Sequence, residues 1–149
     1  MTVTTPPATL PVLPTAIPEE LRQRRQWVCW RWEWRRDRWT KVPLIPATGR
    51  RADATAPATW GTFDQALARQ RRHRLPGIGF VFSPDDPYAG VDIDRCRDRQ
   101  TGALTPLAQG IIALLDSYTE VSPTGTGLKV VVRATVPGPR RKHPGLGIE

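Results

Sequence analysis

Tyr88-Ala89-Gly90-Val91-Asp92-Ile93-Asp94 is the stretch on which the fold turns. Its β-branched and aromatic residues predict a strand. Successive strand side chains point to opposite faces, so Val91 and Ile93 enter the core while Asp92 and Asp94 project together from the other side. Two carboxylates held side by side repel each other unless a cation sits between them, one stays protonated, or the strand end opens to water. Taken alone, the pair equally describes a solvated strand end entering the turn Arg95-Cys96-Arg97-Asp98-Arg99.

Upstream, Gly77-Ile78-Gly79-Phe80-Val81-Phe82 reads as a buried strand and Ser83-Pro84-Asp85-Asp86-Pro87 as a turn, predicting an antiparallel hairpin with the acidic strand. Downstream, after a loop over 95–103, Thr105 caps a predicted helix over 105–117. Pro106 sits at its first position, and Leu107, Ile111, Leu114 and Leu115 form its apolar face. Strands over 118–121 and 128–133 flank the loop Ser122-Pro123-Thr124-Gly125-Thr126-Gly127. Residues 137–147 are basic and rich in Pro and Gly, and Ile148-Glu149 reads as the start of a strand.

The N-terminal half begins with a Pro/Thr-rich leader over 1–18, expected to be disordered or extended. Pro18-Glu19-Glu20-Leu21 opens a short helix with acids first and Arg22, Arg24 and Arg25 after them, the order the helix dipole favours. Residues 26–34 and 39–46 predict two strands joined through Arg35-Arg36-Asp37-Arg38. Trp30, Trp32 and Trp34 share a face, either as core or as a platform for bases. After a loop over 46–57, Thr59 is placed to cap a helix over 60–72 with Phe63, Ala66, Leu67 and Gln70 along one stripe.

At 149 residues and 39% hydrophobic, the chain is expected to form one globular domain with a real core, after the leader. No run of 18 apolar residues offers a membrane span, and no signal peptide opens the chain, so a soluble, cytoplasmic protein with no membrane partner is expected. Cys29 and Cys96 make no disulfide framework or metal pair, and Cys29 is assigned to the core. His73 and His143 are read as surface residues, and Asp98 as the partner of a nearby arginine. The formal charge of +8 is concentrated between Arg22 and Arg51, where ten Lys/Arg face only Glu33 and Asp37. Such a block suits a polyanion, though an arginine-rich coding bias gives the same composition.

The loop 122–127 combines two glycines with three hydroxyls and leads into Lys129, so its amides and that ammonium can meet phosphate oxygens. No helix carrying Gly-Lys-Ser/Thr follows, which excludes a Walker loop, and an ordinary hairpin turn has the same composition.

In order along the chain, the paired acids Asp92 and Asp94, the segment Thr124-Gly125-Thr126-Gly127-Leu128-Lys129 and the pair Ile148-Glu149 together resemble the three motifs of the archaeo-eukaryotic primase superfamily. The closer resemblance is to the bifunctional primase/polymerase (PrimPol) domain of phage and plasmid replication proteins. Gln26-Trp27-Val28, Thr40-Lys41-Val42-Pro43, Thr59-Trp60, Gly77 to Phe82 and Ser117 to Pro123 extend it over nearly everything from residue 18 onward. Lys129 stands where most of that superfamily has His, and the chain stops at the third acid where the family continues.

The resemblance implies an α+β fold, with a mixed or antiparallel sheet flanked by helices around a primase/polymerase-like core. Residues 19–149 then read as that domain, incomplete at its C-terminus. It further implies template-directed nucleotidyl transfer in phage or mobile-element DNA replication, with Asp92, Asp94 and Glu149 as catalytic ligands for two Mg²⁺ or Mn²⁺ ions. Ser122, Thr124, Gly125, Thr126, Gly127 and Lys129 would hold the nucleoside triphosphate. Lys41, with Arg31, Arg35 and Arg36, would track a single-stranded DNA template, and a replicative helicase is an expected partner. Two other readings use the same residues: a non-catalytic module binding single-stranded nucleic acid, and a metal-dependent nuclease.

Overall fold

A computed structural model describes every residue except 1–4, 137, 139–141 and 144. The first four leader residues, and Arg140 and Arg141 of the basic run, therefore lie outside the described part. The chain divides into two compact units, Met1–Ser83 and Pro84–Glu149. Each is built on a three-stranded antiparallel sheet.

In the first unit, helix α1 (Glu19–Arg22) leads into strand β1 (Trp27–Arg35), which pairs antiparallel with β2 (Arg38–Leu44). Their two-residue connection, Arg36 and Asp37, carries φ of 49° and 60°, the positive-φ turn that matches the twist of paired strands. On its other edge β1 pairs with β3 (Gly77–Phe80), giving the order β2-β1-β3. Helix α2 (Phe63–His73) closes this core. Its Phe63 ring meets Trp27 edge-on at 5.1 Å, and its Ala66 carbonyl accepts from the buried Cys29 thiol at 3.2 Å. Burial pushes the Cys29 thiol pKa up to about 11, in keeping with its assignment to the core.

The α2 cap is Thr62 rather than Thr59. Thr62 Oγ1 accepts from Gln65 N, and Gln65 Oε1 accepts from Thr62 N, a reciprocal capping box. Thr59 ends a single 3₁₀ turn instead and donates its hydroxyl to the carbonyls of Asp53 and Ala56.

In the second unit, β4 (Tyr88–Ile93), β5 (Thr119–Val121) and β6 (Leu128–Arg133) form a sheet of order β4-β6-β5. Tyr88 to Ile93 run opposite Arg133 to Leu128. The expected hairpin between β3 and β4 does not form. One edge of β4 is taken by β6 and the other by residues 147–149, through a bridge between Ile93 and Ile148, while β3 is paired with β1. Helix α3 (Pro106–Leu115) has Thr105 as its cap and Pro106 at its first position. Its inner face runs through Ala108, Ile111 and Ile112, packed with Ile93, Cys96 and Leu128. Leu107 and Leu114, assigned to that face by spacing, are exposed: positions 108, 111 and 112 follow the helical repeat that meets the sheet, and 107 and 114 lie off it.

Candidate nucleotidyl-transfer site

β4 delivers the acids as its pattern implies. Ile93 is among the most deeply buried side chains of the protein and Val91 packs against the same cluster, whereas Asp92 keeps 43% of its side chain exposed. Asp94 falls one residue beyond β4, and its N–H donates to the Gly147 carbonyl at 2.8 Å.

Residues 147–149 bring the third acid to them. Asp92 N donates to the Glu149 carbonyl at 2.8 Å and Glu149 N to the Asp92 carbonyl at 3.0 Å. Such a reciprocal pair sets the two residues directly opposite, with both side chains on one face. On the other edge of β4, Asp92 stands opposite Lys129, and Lys129 stands opposite Glu120 of β5. One row across the sheet thus reads Glu149, Asp92, Lys129, Glu120, and the predicted acids 92 and 149 share it with the predicted lysine.

The side chains in the row are already engaged. Lys129 Nζ lies 3.4 Å from Asp92 Oδ1, and Lys142 Nζ lies 2.7 Å from Glu149 Oε1. Tyr118 donates its hydroxyl to Glu120 Oε2 at 3.0 Å. Burial, and then the Glu120 charge, push the Tyr118 pKa above the usual phenol value, so Tyr118 stays a donor at neutral pH.

Among the described residues no three acidic, His or Cys side chains converge into a ready metal cage. The donor set nevertheless suits a hard divalent cation. Asp92 and Glu149 offer half-exposed carboxylate oxygens from neighbouring strands on one face, with Asp94 two residues on.

The loop 122–127 is tightly self-bonded. Ser122 Oγ accepts from Gly127 N at 2.9 Å, while Gly125 N donates to the Ser122 carbonyl and Ser122 N to the Gly127 carbonyl, both at 2.8 Å, so three loop amides and one hydroxyl are committed inside it. Gly125 takes φ of 86°, and a Cβ on Gly127 would stand 2.9 Å from the Ile93 carbonyl. Both glycines are needed for the loop to lie against the end of β4. The Thr124 and Thr126 hydroxyls face each other at 3.5 Å. The loop carbonyls are held from the 95–97 turn: Cys96 N and Arg97 N donate to Thr126 O, and Arg97 Nη1 to Gly125 O. Asp98 accepts the N–H groups of Gln100 and Thr101, which hold its pKa below the usual carboxylate range. It serves a turn, not the acidic row.

In the first unit the four predicted template-binding residues differ in kind. Lys41 Nζ sits over the Trp30 ring at 5.4 Å and the Trp32 ring at 6.0 Å. Arg31, Arg35 and Arg51 all reach Glu33, at 2.7, 2.9 and 2.7 Å. The Arg31 hydrogen bond, followed by those groups, holds the Glu33 pKa below its ordinary value. Arg36 lies exposed in the turn. Sequence reasoning missed Lys142 and Glu120. Lys142 lay within a basic run with no periodicity, while Glu120 alternates with Thr119 and Val121 in β5 and so was open to detection.

No protein-family model matches the chain. A search of curated proteins finds a DNA primase-polymerase of Nitratiruptor phage NrS-1, 37% identical over 117 residues, which is 78% of this chain. The matched stretch is 16% of that protein's length, so the chain spans about a sixth of its relative. Over most of its length the chain is thus similar to one part of a phage DNA primase-polymerase.

Proposed function

We propose that the chain carries the nucleotidyl-transfer site of a DNA primase-polymerase acting in phage or mobile-element replication. The observation that carries the reading is the strand register setting Glu149, Asp92 and Lys129 in one row. Asp92, Asp94 and Glu149 would hold Mg²⁺ or Mn²⁺, ions that take oxygen ligands. When bound, they acidify the attacking 3′-hydroxyl and offset charge on the leaving pyrophosphate. Lys129 supplies a point charge to the triphosphate, and the exposed Thr126 hydroxyl of the preceding loop adds a donor. Lys41 and Arg36 of the first unit contact the template backbone, a salt-dependent interaction. The charge supports this division of labour: residues 1–83 carry fourteen Lys/Arg against six Asp/Glu, whereas residues 84–149 carry eight of each.

The test is primer extension and de novo priming with Mn²⁺, comparing the wild-type chain with Asp92→Ala/Asp94→Ala. Loss of both activities is expected in the double variant, and synthesis that survives it overturns the mechanism. A second reading, a non-catalytic module for single-stranded nucleic acid, is favoured by the lysines already paired to Asp92 and Glu149. DNA binding without any divalent-ion binding identifies it. Cleavage of labelled DNA in Mg²⁺ without nucleotides identifies a nuclease.

A further inference from the structure

Two lysines, on different segments, each hold one of the two carboxylates that stand opposite each other on neighbouring strands. Lys129 comes from β6 and reaches Asp92; Lys142 comes from the stretch before the last strand segment and reaches Glu149. We propose that Lys142 is a second triphosphate-binding residue of this site, and that Lys129 and Lys142 occupy the carboxylates until a divalent cation displaces them. The inference rests on the reading of Asp92 and Glu149 as cation ligands.

The charges carry the argument. Asp92, Glu149, Lys129 and Lys142 sum to zero, and Glu120 of the same row with Asp94 two residues on leave the resting cluster two charges negative, so it attracts a cation before an anion. A divalent ion at the two carboxylates offsets those two charges and releases the two ammonium groups from Asp92 and Glu149. Two released ammonium groups beside a bound cation are the condition for capturing a polyphosphate. Conversely, a polyphosphate that draws the lysines away exposes two carboxylates to a cation. Each ligand removes the other's competitor, so the two bind with positive, reciprocal coupling.

Both ion pairs are exposed enough to exchange, with side chains 35% to 46% accessible. Partly exposed pairs of this kind resist displacement only weakly, which corresponds to about two- to five-fold in cation affinity for each lysine. Lysine suits this exchange because its flexible stem and single ammonium let it move between partners without a fixed fork geometry.

The experiment titrates Mn²⁺, read by electron paramagnetic resonance of the free ion, and inorganic tripolyphosphate, read by calorimetry. Both are applied to the wild-type chain and to Lys142→Met, Lys142→Gln, Lys129→Met, Asp92→Asn and Arg133→Gln, after thermal melts establish which variants fold. Lys142→Met and Lys129→Met are each expected to tighten Mn²⁺ by about two- to five-fold and to weaken tripolyphosphate. Arg133→Gln, at the far end of β6, is expected to leave both unchanged, which separates contact from overall charge. If Asp92→Asn abolishes Mn²⁺ binding while both Lys142 variants bind Mn²⁺ and tripolyphosphate as the wild type does, the proposal is overturned and the metal reading stands. If neither the wild type nor any lysine variant binds Mn²⁺, both fall.

Discussion

Gly147→Ala probes the site without touching a carboxylate. Gly147 takes φ of 65°, and a Cβ built on it would lie 3.3 Å from the Asp94 carbonyl and 3.4 Å from Asp94 Cβ. An L-residue in the left-handed region costs about 1–2 kcal/mol. The contacts are tight enough that the segment must also move by a few tenths of an ångström. The segment relieves both by leaving the edge of β4, so the ratio of docked to undocked 147–149 falls about five- to thirty-fold. Amide hydrogen exchange reads this directly. Asp92 N and Asp94 N donate to Glu149 and Gly147, and both should exchange faster by that factor. Val91 N and Ile93 N alternate toward β6 and should keep their protection. Gly145→Ala is the control, since among the described residues its Cβ meets only His143, at 3.7 Å, and should change nothing. Equal protection of Asp92 and Asp94 in wild type and Gly147→Ala would refute the reasoning.

Other expectations follow from the first unit. Thr62→Ala removes one half of the α2 capping box and should destabilise the unit by about 1 kcal/mol in chemical denaturation, whereas Thr59→Ala leaves the helix cap intact. The Glu33 carboxyl is held below its ordinary pKa by Arg31, Arg35 and Arg51, so the unfolded chain binds its proton more readily. Its stabilising contribution is present above the unfolded value near 4.5 and is lost as pH falls through the lower folded value. Melting curves across that acid range should therefore drop less steeply for Glu33→Gln than for wild type.

Much of the fold was legible because local chemistry and tertiary packing agree. Alternation in β4 located Ile93 in the core and the acids outside it, and Thr105 with Pro106 fixed the start of α3. The failures share a cause: the deciding information was not local. Adjacency suggested that β3 pairs with β4, but partners distant in sequence hold both edges of β4. Leu107 and Leu114 carry apolar side chains at helical spacing, yet the small Ala108 marks the face that approaches the sheet. The Thr62 cap could have been read, since Gln65 lies three residues on, as a capping box requires. The candidate site was legible as a residue set but not as a row, because register across strands is fixed by pairing rather than by composition.

The central claim is that Asp92 and Glu149, opposed across two strands, share a divalent ion beside Lys129. Anomalous diffraction from crystals equilibrated with Mn²⁺ tests it most directly. The account predicts a Mn²⁺ peak within coordination distance of carboxylate oxygens of both residues, about 2.0–2.6 Å for such hard cations. A peak bound elsewhere, or none at Asp92 and Glu149 at saturating Mn²⁺, would contradict it.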